Sequence, residues 1–364
     1  MDPGGTQITM REAMVSSSEL PGSNLGLVLI AVSQVCYSCM NLVVVLLDER
    51  EGKNAPGKGP GGEPAMGALQ IVAAECFVIW LACTALMLYA RTEHIIMGPP
   101  GVRGVLLARG ICGWLSTLLL YVSLEMLPIA EMTSISFLAP LVTGVLAAIT
   151  IGEPFTLREK IAGVSSLFGV TLIARPAFLF GRGEESDVPS APGDTPPIDG
   201  IPELPLPDVG GLDEHSLGVI IALVAVLFIA GAWVSLRAIG HRASTYHSIA
   251  YFSGVSWVAS LLTMAALREP LVVPQSPLSI FLLSGIGLFS LCAQVFQTLG
   301  LQREKAGRAA VMSYLQILFA TFFQVVLLGT PLEALSILGS VLILANGAWV
   351  ASAKANDDDA VAVH

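Results

Sequence analysis

Ser136-Phe137-Leu138-Ala139-Pro140-Leu141 and Ser313-Tyr314-Leu315-Gln316-Ile317-Leu318 align without gaps at an offset of 177 residues. The same offset lays Gly152-Glu153-Pro154 on Gly329-Thr330-Pro331. Outward from these copies, windows of about 20 apolar residues recur along the chain, each long enough to cross a hydrocarbon core of about 30 Å. The fourth such span repeats as the ninth. Five spans separate the copies, and five is odd, so the second copy enters the membrane from the opposite face. Chance similarity between two apolar helices is the alternative, and the matched Gly and Pro punctuation disfavours it.

The spans are expected at 24–47, 66–90, 104–123, 129–149 and 159–175, then at 216–239, 244–266, 278–299, 307–328 and 332–352. The fold class is all-α: a polytopic membrane protein of ten transmembrane helices in two inverted five-helix repeats. This divides the chain into a tail at 1–23, a first repeat at 24–175, a linker at 176–215, a second repeat at 216–352 and an acidic tail at 353–364. The linker is rich in Pro, Gly, Ser and acids, a composition that cannot bury a core.

Composition agrees. Of 364 residues, 54% are hydrophobic and 13% charged, with mean hydropathy +0.74, against roughly 45–50% apolar and about 25% charged in soluble domains. A soluble enzyme with a single anchor is excluded. The segment before the first span lacks a small-residue cleavage site, so the first helix is read as retained. The net charge of −10 resides mostly in the linker and in Asp357-Asp358-Asp359, and without a basic stripe it argues against a nucleic-acid partner. All six cysteines fall inside spans, where they pack as small hydrophobes, and Cys36 and Cys39 have no second ligand pair for a metal. Gly52-Lys53-Asn54-Ala55-Pro56-Gly57-Lys58-Gly59 nearly spells a P-loop, but Gly59 replaces the Mg²⁺-binding hydroxyl and Pro60-Gly61-Gly62 forbids the following helix. No cofactor is expected.

Loop charge orients the chain. Eleven Lys/Arg lie on the side of the termini and six on the side of the linker, with Arg109 inside a span. The termini are therefore read as cytosolic.

Leu107-Ala108-Arg109-Gly110, Leu119-Leu120-Tyr121, Leu127-Pro128-Ile129-Ala130, Phe137-Leu138-Ala139-Pro140, Gly152-Glu153-Pro154-Phe155-Thr156, Gly169 and Arg175-Pro176 together resemble the EamA family of the drug/metabolite transporter (DMT) superfamily. The second half resembles it through Gly300-Leu301-Gln302-Arg303-Glu304-Lys305-Ala306-Gly307-Arg308-Ala309-Ala310, Tyr314-Leu315-Gln316 and Pro331, and the whole reads as a eukaryotic, fungal-type member. The resemblance implies ten helices in two inverted repeats, with the first four of each half around a central cavity and the fifth peripheral. It implies no substrate. Members often carry a Lys or Arg late in the first helix and an Arg in the second, where this chain has Val45 and Glu75.

Several polar residues inside spans are candidates for a substrate site. Glu75 lies about 12 Å deep in the second span, where a bare carboxylate is costly. It either couples transport to protons or is a protonated hydrogen-bonding group between helices. Arg109, about one turn inside the third span, either snorkels to water or is an anion-binding arm. Thr133, Ser136, Pro140 and Thr143 share one face of the fourth span, Ser313, Gln316 and Gln324 one face of the ninth, and Ser290, Gln294 and Gln297 one face of the eighth. Such faces turn inward, as interhelical glue or as cavity lining. Pro140 removes a backbone hydrogen bond in mid-membrane, and Tyr121 and Tyr314 offer hydroxyls to a ligand or to packing. The repeat pairs Glu131 with Arg308 at opposite mouths, as charged gates or solvated boundary charges. Ser165 and Gly169 form a small-xxx-small pair, marking helix packing or a homodimer face.

These features favour a secondary transporter of a small polar metabolite, working by alternating access in the lipid bilayer, with H+ as a candidate coupling ion. The alternative is a non-transporting membrane protein that uses the fold to bind a partner or sense a ligand. An intramembrane enzyme lacks its expected motifs.

Overall fold

The computed structural model describes residues 24–52, 67–92, 94–95, 98–127, 129–174, 214–268, 271–272, 277–323, 325–326 and 334–362. Most of the expected linker, the first tail and Gln324 lie outside the described residues. The first half comprises α1 (Leu25–Gly52), α2 (Ala68–Tyr89), α3 (Arg103–Met126), α4 (Ile129–Ser136), α5 (Ala139–Thr150) and α6 (Leu157–Ala174). The second comprises α7 (Glu214–Ile239), a 3₁₀ turn (Gly240–Arg242), α8 (Thr245–Leu267), α9 (Pro277–Arg303), α10 (Ala306–Ser313), α11 (Leu315–Phe323) and α12 (Ala334–Ala362). Among the described residues, nine segments are long and apolar enough to span a bilayer. The remaining expected span, the fifth, is α6, which has Arg158, Glu159 and Lys160 in its first turn. The chain is all-helical and built of two inverted repeats, and large apolar side chains such as Leu81, Phe281 and Val341 stand exposed on its outside, the surface a bilayer covers.

The expectation of continuous helices at 129–149 and 307–328 needs correction. Each is broken: α4 stops at Ser136 and α5 starts at Ala139, while α10 stops at Ser313 and α11 starts at Leu315. Pro140 falls in the first turn of α5, where a missing N–H has no helical partner to lose, so it starts a helix and does not kink one. A break in mid-membrane frees backbone carbonyls that need donors. Here the Tyr314 hydroxyl, fully buried, donates to the Phe137 carbonyl at 2.9 Å. Tyr314 and Phe137 occupy the same place in the two repeats, so this contact lies on the local two-fold axis.

Packing between repeats is symmetric in places. α3 lies along α7 as α9 lies along α1. α6 crosses α12 where Gly169 and Gly339 meet, a Cβ at Gly339 falling 2.4 Å from the Gly169 carbonyl oxygen. Gly169 thus serves helix packing within the chain. Gly339→Leu is expected to force α6 and α12 apart and to lower stability by about 1–3 kcal/mol, the usual cost of overpacking. Thermal unfolding in detergent measures it, with Gly285→Ala, whose new Cβ meets nothing closer than 3.7 Å, as a silent control.

Elsewhere the symmetry fails. α5 packs against α10 at the face of the membrane where α1 begins, here termed the near face; among the described residues, their repeat counterparts α11 and α4 show no comparable packing at the far face. Likewise α8 packs on α9, but α2 does not pack on α3 to the same degree. At the near face the packing of α5 on α10 closes the bundle.

Candidate functional site

A cavity of about 100 Å³ lies between α1, α3, α7, α8 and α9. Since one water takes about 30 Å³ of liquid volume, this is room for a few waters or a small ligand. Tyr37, Ser116, Thr117, Gln294 and Gln297 supply its polar wall, and Phe252 and Trp233 its aromatic wall. Arg109 lines it too. Its side chain does not snorkel: the residue is 6% exposed, its guanidinium carbon stands 4.8 Å from the centre of the Phe252 ring, and Nη2 donates to Gln294 Oε1 at 3.4 Å. Gly113, one turn on, makes this possible, since a Cβ there would sit 2.5 Å from the Phe252 ring and 3.5 Å from the guanidinium. Tyr37 donates to Gln297 Oε1 at 2.9 Å and fixes the orientation of that amide.

Pro140, Thr143 and Ser313 line a smaller space of about 10 Å³ that shares Ile229 and Trp233 with the main cavity. Glu75, half-buried on α2, takes a hydrogen bond from Ser290 of α9, and Tyr37 lies within electrostatic reach of both Glu75 and Arg109. The other candidates lie elsewhere. Tyr121 packs among Met40, Val44, Cys76 and Ile286. Ser136 turns back to donate to the Met132 carbonyl at 3.1 Å. Tyr314 occupies the axis, and Gln316, fully buried, lies where its backbone carbonyl accepts from Ser38. Glu131 pairs with His215 at 2.7 Å on the far face.

Arg308 belongs to a seal at the near face. Its Nε donates to Glu159 Oε1 at 3.1 Å, both side chains being buried. Glu159 Oε2 also accepts from the Thr156 backbone N–H while Thr156 Oγ1 accepts from the Glu159 N–H, a capping box that starts α6. Glu153 accepts from Arg237 Nε at 2.5 Å and from the Ala306 N–H at 2.8 Å, placing a carboxylate at the N-terminus of α10. Arg237 Nη1 reaches on to the Leu301 and Gln302 carbonyls. Phe155 lies between Gly144 of α5 and Gly307 of α10, which leave room for its ring. Gly152, at φ +69°, turns the chain out of α5 into this motif. The stretch Gly152–Thr156 is therefore what joins α5, α7 and α10 at the closed end.

A profile of the EamA-like transporter family matches residues 63–175 and 216–351. The chain belongs to this family. As an EamA-like protein it is a multi-pass membrane transporter with relatives in fungi and animals. A Saccharomyces cerevisiae protein named "Probable transport protein" is 28% identical over 93% of this chain and 92% of its own length. Human solute carrier family 35 member G1 is 29% identical over 79% and 72%. The pseudopaline exporter of Pseudomonas aeruginosa is 25% identical over 75% and 84%. A crystal structure covering 87% of this chain superposes with a TM-score of 0.62 at 16% identity, which shows a shared EamA-like fold.

Sequence reasoning found Arg109, Gln294 and Gln297 but missed Tyr37, Trp233 and Phe252, and missed Arg237 and Glu159 at the seal. For Tyr37 a signal existed, because Ser33, Gln34, Ser38 and Asn41 form a buried polar stripe on the same helix. Phe252 carries none, since an aromatic in an apolar helix reads equally well as facing lipid.

Proposed function

We propose that this chain is a secondary transporter that moves a small polar metabolite by alternating access, rocking its two repeats about the Tyr314–Phe137 contact. The observation that carries the reading is a polar cavity between two inverted repeats whose near end is closed by the packing of α5 on α10, a packing that α4 and α11 do not repeat among the described residues. Inverted repeats make the two ends of a carrier equivalent, so exchanging these packings converts a state open at one face into a state open at the other. The cavity lies between the repeats, above the sealed end. It draws side chains from α1 and α3 of one and from α7, α8 and α9 of the other. The near face is the cytosolic one, in keeping with its excess of Lys and Arg.

The test is solute flux into proteoliposomes, screened as counterflow against a metabolite extract. Saturable exchange of at least one solute is expected, and its absence from folded, ligand-binding protein favours a sensing or partner-binding role instead. Orientation is checked with His241→Cys, in the exposed turn of Gly240–Arg242. An impermeant thiol reagent is expected to label it in inside-out vesicles and not in intact cells; the reverse pattern rules the orientation out.

A further inference from the structure

Arg109 presents a charge without a counter-charge. Its guanidinium is buried inside a span, and among the described residues it forms no ion pair with a carboxylate. Its contact with Gln294 is long, its Nε has no hydrogen-bond partner, and Phe252 offers only the face of a ring. Ser116 and Thr117, beside it in the cavity, already donate to the Gly113 carbonyl at 2.7 and 3.1 Å. A cation at this depth is costly unless something pairs with it, and the space on its open side is the cavity.

From this arrangement we infer that the cavity takes a small organic oxyanion, its carboxylate or phosphate group on Arg109 and a planar or apolar body between Phe252 and Trp233. The inference deepens the transporter reading and rests on it for the route by which the ligand arrives. Guanidinium suits both head groups through its fork of N–H donors. Gln294, holding one of those donors at 3.4 Å, yields it readily to a charged acceptor. The neutral polar wall of Tyr37 and Gln297 adds hydrogen bonds without adding a second charge.

The experiment uses the purified full-length chain in detergent and four matched probes: benzoate, phenyl phosphate, neutral benzamide and cationic benzylamine. Tryptophan fluorescence, to which Trp233 contributes from the cavity wall, and thermal shift report binding. At least one anion is expected to bind saturably, and benzamide and benzylamine at least tenfold more weakly. Preference for benzoate assigns a carboxylate substrate and preference for phenyl phosphate a phosphate ester. Arg109→Gln is expected to weaken the preferred anion by about 10–100-fold, the range for charge-assisted hydrogen bonds, and to leave benzamide unchanged. Should that variant not fold, Arg109→Lys, which keeps the charge and loses the fork, is expected to weaken the anion several-fold. Benzamide binding as tightly as both anions, anion binding indifferent to either substitution, or no saturable response from any probe overturns the proposal. Anion binding without flux would leave the site standing and sink the transporter reading alone.

Discussion

Replacing Glu153 with alanine is expected to open the sealed end of the cavity and to collapse net uptake. Glu153 holds two groups at once, the Arg237 guanidinium and the first backbone N–H of α10. Each is a hydrogen bond with a charged acceptor, worth about 1.5–3 kcal/mol when its partner is left behind. Since about 1.4 kcal/mol is a factor of ten in population, losing either bond shifts the balance toward a near-face-open state by tenfold or more. The reporter is Ser313→Cys, placed in the small space under Trp233 and 1% exposed, in a background with the six native cysteines replaced. Its labelling by an impermeant reagent from the near face should be slow with Glu153 intact and at least tenfold faster in Glu153→Ala. Arg237→Gln should do the same from the other side of the pair. Equal labelling rates with and without Glu153 would show that this contact does not hold the end closed.

The second large effect is expected at Glu75. Its carboxylate sits within a span, on Ser290, next to the Tyr37 that borders the cavity. A carboxylate so placed is tolerated as a neutral acid or with a compensating partner. A carrier that binds a proton with its substrate would use such a group by protonating it from one face and releasing the proton at the other. Glu75→Gln imitates the protonated form alone. It should abolish the dependence of net uptake on a pH gradient while leaving substrate exchange, which needs no change of charge there, close to the unmodified rate. Glu75→Ala should also lower yield and stability, because Ser290 then loses its acceptor. If uptake by the Gln protein still follows the imposed gradient, Glu75 is a hydrogen-bonding strut between α2 and α9.

Much of the architecture was legible because bilayer physics writes it into composition. Lipid demands about 20 apolar residues per crossing and the repeat demands matched punctuation, so nine spans and the inversion could be read without coordinates. The helix α6 was legible as the apolar run at 159–175, despite its charged first turn. The breaks at Phe137 and Tyr314 were not. Pro140 advertised a disturbance, but whether a proline kinks a helix or starts one depends on where the freed carbonyl finds a donor, and that donor lies 177 residues away. The seal was hidden for the same reason. Glu153 and Arg237 stand 84 residues apart, and nothing in the α5–α6 loop or in α7 alone pairs them. Arg109 was visible as a charge in an apolar run; that it turns inward was decided by the small Gly113, which admits the Phe252 ring beside it.

The Tyr314–Phe137 contact has a further meaning when set beside the history of the chain. A perfect inverted duplication would relate the two end states by a two-fold rotation at equal energy, and the carrier would spend equal time open to each face. Divergence has removed that degeneracy. The tyrosine hydroxyl exists in one copy only, and Thr330 stands where a second Glu153 would be, so the exchanged packing would keep the pivot but lack a matching Glu153–Arg237 pair at the far end. On the alternating-access proposal, an unloaded molecule is expected to rest with its near end shut. Under the same proposal substrate binding supplies what the second copy lacks, so the unequal residues of the two copies fix the direction in which the carrier waits for cargo.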